Sequence, residues 1–128
     1  MDNLFIEKAP ENFFKYPLID FNAETGVCLI EGESFMENTI EFFEPVFEWL
    51  KEFNEEGKET LTLEIKLSYY NTSSSKTLYT LLMLLKEFEK NGNEVQVNWF
   101  YNIEDTEMED DIIDLKIETG MEIEMITI

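Results

Sequence analysis

The sequence contains no histidine and no arginine, and all nine of its basic residues are lysines. Without histidine the chain has no Ser–His or Cys–His nucleophile and no His-containing metal site. Without arginine it has no bidentate guanidinium clamp for phosphate groups. The nine lysines stand against 29 acidic residues, and the formal charge of −20 disfavours nucleic-acid binding. These absences argue against an enzyme, and the sequence predicts no cofactor and no metal ion.

Cysteine and long apolar runs are also scarce. Cys28 is the single cysteine, so it has no partner for an internal disulfide, and its place in a predicted strand favours a small buried side chain over a reactive thiol. The longest apolar run, 81–85, is much shorter than the roughly 18–20 residues that cross a bilayer. The first residues do not resemble a secretory signal. The sequence therefore predicts a cytoplasmic protein that binds neither nucleic acid nor membranes.

Apolar side chains are well represented. They make up 44% of the 128 residues, and aromatic residues make up 14%, including eleven phenylalanines. A disordered acidic chain would be poor in aromatic residues, so this composition indicates a folded domain. We expect one domain over residues 1–128, with residues 1–15 as an N-terminal extension of lower order.

Hydrophobic periodicity and turn residues divide the chain into short elements. The first predicted elements are a hairpin of strands Tyr16–Phe21 and Val27–Ile30, which turns at Gly26 and is closed by Gly32, and a helix from the N-cap Asn38 to about Asn54, which Pro45 kinks or splits. A strand Thr60–Tyr70, a helix to about Lys90 and a strand Glu94–Tyr101 follow. The acidic stretch Glu104–Asp114 is predicted to be a loop that passes into a third helix, which ends at Gly120 before a last strand Glu122–Ile128.

The pattern within two of these strands predicts how the layers are arranged. Apolar and polar residues alternate over 60–70 and over 94–101, so each strand has one polar face. A sheet with helices on both faces would instead need strands that are apolar on both sides. We therefore expect an α/β fold, in which a hairpin precedes β-α-β-α-β units and helices cover mainly one face of a mixed sheet. The other face is open, or is covered by residues 1–15 or by a partner.

Residues 71–76, which include four hydroxyl residues at 72–75, join a predicted strand to a predicted helix. Serine and threonine at this position commonly cap the helix, because their side-chain oxygen accepts a hydrogen bond from a backbone N–H group of the first turn. The alternative is a phosphorylation site, because a helix N-terminus offers N–H donors and a favourable dipole to a phosphate group. The run is not a phosphate-binding P-loop, since it contains no glycine.

The stretch Tyr69–Lys76 resembles the central motif of the SiaC family of bacterial regulatory phosphoproteins. The resemblance covers about residues 16–126. Further stretches that resemble the family are Phe21–Gly26 at the hairpin turn, Gly32–Asn38 at the start of the first helix, Pro45–Leu50 within that helix, and Val97–Tyr101 before the acidic loop.

The resemblance implies a STAS-like fold of the anti-sigma-factor-antagonist type and a partner switch. In such a switch, a cognate serine/threonine protein kinase phosphorylates the threonine that Thr72 matches, and a PP2C-type phosphatase removes the phosphate. The dephosphorylated form binds and activates a downstream target, which in the best-understood arrangement is a diguanylate cyclase of c-di-GMP signalling. The chain would then have no catalysis of its own.

Two aromatic residues are also predicted to belong to the partner-binding site. In the alternating pattern of their strands, Tyr70 and Phe100 fall on the polar face. Parallel strands end at the same edge of a sheet, so the two residues should lie near each other. We therefore expect an exposed aromatic patch beside the hydroxyl run, or else two residues that only cap the end of the sheet. The exposed side of the helix that begins near Ser73 is the alternative contact surface. The full set of predicted partner-binding residues is Tyr70, Asn71, Ser73, Ser74, Ser75, Lys76 and Phe100.

Other functions are weaker alternatives. The acidic stretch Glu104–Asp114 lacks the spacing of an EF-hand, so it is interpreted as a solvated loop. An enzyme would have to rely on carboxylates, and spacing alone cannot select a catalytic pair among 29 acidic residues. The main alternative function is a constitutive acidic interaction module that is never phosphorylated.

Overall fold

A computed structural model describes residues 1–9 and 15–128 of the chain. Strands and helices follow one another within these residues. They are, in chain order, β1 (Leu4–Ile6), β2 (Leu18–Phe21), β3 (Val27–Ser34), α1 (Thr39–Glu55), β4 (Thr60–Tyr70), α2 (Thr72–Lys90), β5 (Glu94–Tyr101), α3 (Thr106–Thr119) and β6 (Glu124–Thr127). The bounds of β4 and β5 are those that the sequence predicts, and α2 ends at Lys90, close to its predicted end.

The strands form one mixed sheet in the order β1-β2-β3-β4-β5-β6. The first two pairings are antiparallel, and the pairings of β3 with β4, β4 with β5 and β5 with β6 are parallel. Each parallel pair is joined by one helix, and such crossovers are right-handed. Because each new strand is added on the same side, the three helices lie on the same face of the sheet. The prediction of a mixed sheet with helices mainly on one face is confirmed.

Burial follows this arrangement along the central strand β4. Its alternate residues Leu61, Leu63, Ile65 and Leu67 are buried against the helices, whereas Thr62, Glu64 and Lys66 on the other face are only half-buried. No helix of the described residues covers that second face. Residues 1–15 were one predicted cover, but Leu4–Ile6 extends the sheet as an edge strand beside β2, and residues 10–14 lie outside the described part of the chain.

A register shift interrupts the pairing of β3 with β4 near the end of both strands. Gly32 is opposite Leu67, but the next residue, Glu33, is opposite Tyr69. Ser68 is therefore an extra residue, as in a β-bulge, and it donates a hydrogen bond from its Oγ to the Gly32 carbonyl oxygen at 3.3 Å. A one-residue shift moves every later side chain to the opposite face.

The structure differs from the sequence prediction at three points. Gly32 does not close the hairpin, because β3 continues to Ser34 and Gly32 lies inside it with a φ of 118°. Pro45 does not split α1, which runs as one helix although the proline cannot donate a hydrogen bond to the Glu41 carbonyl. β1 was not predicted. In the described residues, no helix is long and apolar enough to cross a membrane.

Candidate functional site

Asn71 caps the N-terminus of α2 at the carboxyl end of β4. Its Oδ1 accepts a hydrogen bond from the Ser74 backbone N–H at 3.0 Å, and its Nδ2 donates to the Met36 carbonyl oxygen at 3.1 Å. The backbone N–H of Asn71 also donates to the Ser34 carbonyl oxygen at 3.1 Å. The cap is thus asparagine and not one of the hydroxyl residues. It ties the start of α2 to the end of β3 and the turn that follows it.

Ser74 is fully buried directly beneath this cap. Its Oγ lies 2.7 Å from the Oγ of Ser34, which is also fully buried, and 2.7 Å from Asn71 Oδ1. The Ser34 carbonyl oxygen is a further acceptor at 3.1 Å. Because a hydroxyl has a single hydrogen, Ser74 donates to one of these oxygens at a time, and either hydroxyl of the Ser34–Ser74 pair can be the donor. The hydroxyl of Ser74 is therefore occupied by structural hydrogen bonds.

Ser73 connects α2 to α1. Its Oγ is 2.5 Å from Thr39 Oγ1, and Thr39, the first residue of α1, is almost fully buried. The Ser73 carbonyl oxygen accepts a hydrogen bond from Thr77 Oγ1 at 3.2 Å. Ser75 is half-buried on the next position of the helix, and its backbone N–H donates to the Asn71 carbonyl oxygen at 2.9 Å. The starts of the two helices are therefore held together by hydroxyl groups.

Thr72 differs from the three serines that follow it. It is the first residue of α2, its side chain is exposed, and its hydroxyl has no hydrogen-bond partner among the described residues. The first turn of α2 contains no acidic residue to offset the helix dipole. Lys76, one turn further along, is exposed and forms no ion pair with the described part of the chain.

The predicted position of Tyr70 on the polar face is wrong. The bulge at Ser68 turns Tyr70 toward the helices, where it is opposite buried Ser34 and its ring centroid lies 6.1 Å from that of Trp99. Tyr69 takes the exposed position instead, 6.1 Å from the ring of Phe35. The period-2 pattern cannot show this exchange, because the bulge depends on the pairing with β3.

The Tyr70 hydroxyl is buried without a hydrogen bond of normal geometry to any described residue. Burial raises the pKa of the Tyr70 phenol, and the nearby carboxylate of Asp111 on α3 raises it further. The phenol is therefore neutral at physiological pH. Tyr70 is a packing residue between β4 and α3 in this structure, and its role in partner binding stays a prediction.

Phe100 does have the predicted orientation. It is half-buried on the face without helices, and Lys66 Nζ lies 4.8 Å from the centre of its ring. Pairing of β4 with β5 ends at Ile65 and Trp99, and beyond this point a groove of about 760 Å³ includes Lys66, Phe100 and Asn102 in its lining. Phe100 and Tyr70 are therefore on opposite faces of the sheet. The predicted patch of both aromatic residues does not form.

The acidic stretch at 104–114 is mostly helix and not loop. Asp105 caps α3, since its Oδ1 accepts the Met108 backbone N–H at 3.0 Å, and Glu107 and Glu109 lie in the first turn. Within residues 1–9 and 15–128, no three acidic or cysteine side chains come together as a metal site would need.

Two residues of the site at the start of α2 were not predicted from the sequence. Ser34 contacts Ser74, and Thr39 contacts Ser73.

A family model for the SiaC family regulatory phosphoprotein matches residues 9–128. The chain belongs to the SiaC family. An uncharacterized protein of Pseudomonas aeruginosa strain UCBPP-PA14 is 35% identical over 86 residues, which are 67% of this chain and 68% of that protein. The family is described as one of regulatory phosphoproteins.

Solved structures of the family have the same fold. SiaC of P. aeruginosa superposes with a TM-score of 0.86 at 27% identity, over 100% of both chains. A second structure holds P. aeruginosa SiaC as the activator bound to the diguanylate cyclase SiaD, and its SiaC chain superposes with a TM-score of 0.85 at 25% identity, over 96% of this chain and 100% of that one. The six-stranded mixed sheet and its helices are thus the SiaC fold.

Proposed function

We propose that this SiaC-family protein is a partner switch controlled by reversible phosphorylation of Thr72. A cognate serine/threonine kinase adds the phosphate and a PP2C-type phosphatase removes it. The dephosphorylated form binds and activates a diguanylate cyclase. Family membership supports the regulatory role, and the complex of P. aeruginosa SiaC with SiaD supports the class of target. The chain itself carries out no catalysis, and its cytoplasmic location stays a prediction.

The observation that carries the proposal is the state of the hydroxyls at 72–75. Ser74 is buried in a hydrogen-bonded network, Ser73 is bonded to Thr39, and Ser75 is half-buried. Thr72 alone among them is both exposed and without a hydrogen bond in the described structure. A kinase must reach the hydroxyl and place it against a phosphoryl donor, so Thr72 is the residue that it can modify without unfolding α2.

A phosphate at Thr72 changes the surface and leaves the interior intact. The N–H groups of Ser74 and Ser75 already donate to Asn71, so they are not available to draw the phosphate inward. Lys76 is the cation one helical turn away, and a pair at this spacing is worth a few tenths of a kcal/mol on an exposed helix. We therefore expect the added charge of about −1.5 to −2 to act on the partner by repulsion and desolvation.

Phosphopeptide mapping tests the modified residue. The protein is purified from its native cells with phosphatase inhibitors, and the peptide that contains 71–76 is fragmented. We expect phosphate on Thr72. Thr72→Ala should abolish the modification, whereas Ser75→Ala, the matched control about one helical turn away, should retain it. Phosphate on Ser74 would contradict the assignment, because that hydroxyl is inaccessible in the folded protein.

A binding assay tests the direction of the switch. Diguanylate cyclases of the same organism are purified, and their affinity for the protein and their rate of c-di-GMP formation are measured with the phosphorylated and the unphosphorylated chain. We expect binding and activation by the unphosphorylated chain only. Equal binding by both forms would favour the alternative, a constitutive acidic interaction module.

A further inference from the structure

The sheet ends at β6 on one side, and the outer side of that strand is unpaired. β6 is the last strand of the sheet order, and no strand of residues 1–9 and 15–128 pairs with its outer side. An edge strand of this kind offers a row of free backbone N–H and C=O groups that a further strand can join. The opposite edge strand, β1, is three residues long, and short edge strands resist such pairing.

The pairing of β6 with β5 shows which of its backbone groups are free. The Ile128 N–H, just beyond β6, donates to the Tyr101 carbonyl oxygen of β5 at 2.9 Å. Successive residues of a strand point their backbone groups to opposite sides, so Ile126 also faces β5, whereas Met125 and Thr127 point away from it. The N–H and C=O groups of Met125 and Thr127 are therefore the ones with which an added strand would pair.

β6 carries none of the usual protection against edge pairing. Exposed edges are commonly protected by proline, lysine or a β-bulge. Residues 121–128 contain no proline and no lysine, and the pairing of β5 with β6 has no register shift. The charged side chains of this stretch are Glu122 and Glu124, and both are exposed. The edge therefore repels another acidic strand and attracts a basic one.

α3 supplies an apolar wall beside this edge. Its Leu115 lines a groove shared with α2, so that flank of α3 faces α2. Ile113 and Ile117 are one turn apart on the other flank, where Lys116 borders a recess together with Glu124. Ile117 is 75% exposed and Ile113 is 39% exposed. A strand added to β6 would bring its own side chains against these two isoleucines.

The two faces of the sheet predict the sequence pattern of such a strand. Its side chains would alternate between the faces. Those on the helix face would contact Ile113 and Ile117. Those on the other face would lie beside Glu124, because Glu124 is opposite Asn98, which belongs to the polar face of β5. The matching segment therefore alternates apolar residues with lysine or arginine.

A second copy of this chain is a poor match for the same edge. Each copy has a net charge of −20, and pairing of two β6 strands would bring Glu122 and Glu124 of both copies together. Neither glutamate forms an ion pair within the described residues, so both are available to a basic partner. The net charge would also attract such a partner from a distance.

We propose that the outer edge of β6 is a docking site for an extended basic segment of a protein partner. The segment pairs with the backbone of Met125 and Thr127, places its apolar residues against Ile113 and Ile117, and places its basic residues beside Glu124. Strand addition takes its affinity from the backbone and its specificity from alternate side chains. The site is separate from the hydroxyl residues at the start of α2, so it goes beyond the proposed function.

A titration with a model peptide tests the site. The probe is a peptide of alternating valine and lysine with blocked ends, and NMR follows the backbone amides of the protein. We expect shift changes concentrated in β6 and on the outer flank of α3. The same peptide methylated on every backbone nitrogen keeps its charge but has no N–H donor, so it should bind at least tenfold more weakly. Equal binding of both peptides would overturn the proposal, because binding would then be electrostatic alone.

Substitution of Thr127 tests the backbone contact from the side of the protein. Thr127→Pro removes an N–H that points away from β5, and a proline with this orientation is tolerated in an edge strand. It should weaken binding of the valine–lysine peptide at least tenfold. Thr127→Ala keeps the N–H and should leave the affinity unchanged. Circular dichroism verifies that both variants are folded, and a folded Thr127→Pro that binds as tightly as the unaltered protein would contradict strand addition.

Ile117→Ser tests the apolar wall without any change in β6. It should weaken binding of the same peptide at least threefold. Ile40→Ser is the matched control, since Ile40 is 79% exposed but lies on α1, away from this edge, and it should leave the affinity unchanged. Equal losses in the two variants would show that the peptide is not held beside α3.

The oligomeric state provides a separate check on the occupant. Light scattering should show a monomer for the unaltered protein and for Thr127→Pro. A dimer that Thr127→Pro dissociates would overturn the proposal, because the edge of β6 would then pair with a second copy of this chain. None of these results depends on phosphorylation of Thr72.

Discussion

The N-termini of α2 and α3 are built in the same way but serve the molecule differently. In each, a side-chain oxygen of the residue before the helix accepts the backbone N–H three residues later, from Asn71 at 3.0 Å and from Asp105 at 3.0 Å. Around Asn71, further bonds reach Ser34 and Met36, more than 30 residues away. Around Asp105, the remaining backbone bonds are local, such as the one to Asn102.

The two first turns also differ in charge. α3 carries Glu107 and Glu109 in its first turn, whereas α2 has no acidic residue there. Negative charge at a helix N-terminus is favourable, but each further charge repels those already present. The start of α2 is therefore a rigid position with an uncompensated dipole and an exposed hydroxyl. The start of α3 also begins with an exposed threonine, Thr106, but Glu107 and Glu109 in its first turn already offset the helix dipole.

The largest expected effect comes from removal of the α2 cap. Asn71→Ala deletes the acceptor for the Ser74 N–H, the bond to the Met36 carbonyl and one partner of the buried Ser74 hydroxyl. We expect the free energy of unfolding to fall by about 2–3 kcal/mol. Urea denaturation followed by circular dichroism measures it.

Asn71→Asp is the control for this prediction. It keeps the acceptor oxygen but loses the N–H that donates to Met36, so the loss should be about 1 kcal/mol. If Asn71→Ala cost no more than the corresponding change at Asp105, the long-range bonds around Asn71 would contribute nothing, and the contrast between the two helix starts would be one of charge alone.

Removal of the α3 cap should have a smaller effect. Asp105→Ala deletes one local hydrogen bond on a half-buried residue, and we expect a loss of about 0.5–1.5 kcal/mol. Asp105→Asn keeps the acceptor and removes one of several neighbouring negative charges, so it should be close to neutral. Thermal unfolding at low and high salt separates the two effects, since only the charge effect depends on salt.

Thr72→Ala should change stability by less than about 0.5 kcal/mol, as exposed substitutions without a structural bond usually do. A cost of about 0.5–2 kcal/mol would apply only if Thr72 were the cap, and the cap is Asn71. The same urea titration measures it, with Ser73→Ala for comparison because that variant breaks the bond to Thr39. A loss as large as that of Ser73→Ala would mean that the Thr72 hydroxyl is not free.

The features that the sequence predicts correctly depend on local chemistry. Asn38 caps α1 and Gly120 ends α3 with a φ of 70°, because caps and turns are decided within a few residues. The face of Tyr70 depends on the bulge at Ser68, which arises only when β4 pairs with β3.

The contacts that hold the site together are also outside the reach of sequence patterns. Thr39 and Ser73 are 34 residues apart, and Ser34 and Ser74 are 40 apart, so no periodicity connects them. Membership of the hydroxyl run in the site could be predicted from the resemblance, but which hydroxyl is free could not. Likewise, β1 is three residues long, too short for an alternating pattern to be recognised.

The last substitution, at the residue that lies between the two helix starts, is the one that we expect to leave stability unchanged or to raise it. The Tyr70 hydroxyl is buried without a hydrogen bond of normal geometry, and burial together with the Asp111 carboxylate raises its pKa, so Tyr70→Phe removes a neutral group that is poorly satisfied in the folded protein. We expect a change in unfolding free energy between zero and a gain of about 1 kcal/mol at neutral pH.

In the unaltered protein the folded state keeps the phenol proton above about pH 10, where the unfolded state loses it, so stability falls as the pH rises beyond that value. Tyr70→Phe should lose this part of the alkaline decline, whereas Tyr69→Phe, on an exposed neighbour, should retain it. Urea titrations at neutral and alkaline pH measure both. A loss of more than about 1 kcal/mol in Tyr70→Phe would show that its hydroxyl is hydrogen-bonded in solution, and that α3 is fastened to the start of α2 more tightly than the packing of Tyr70 indicates.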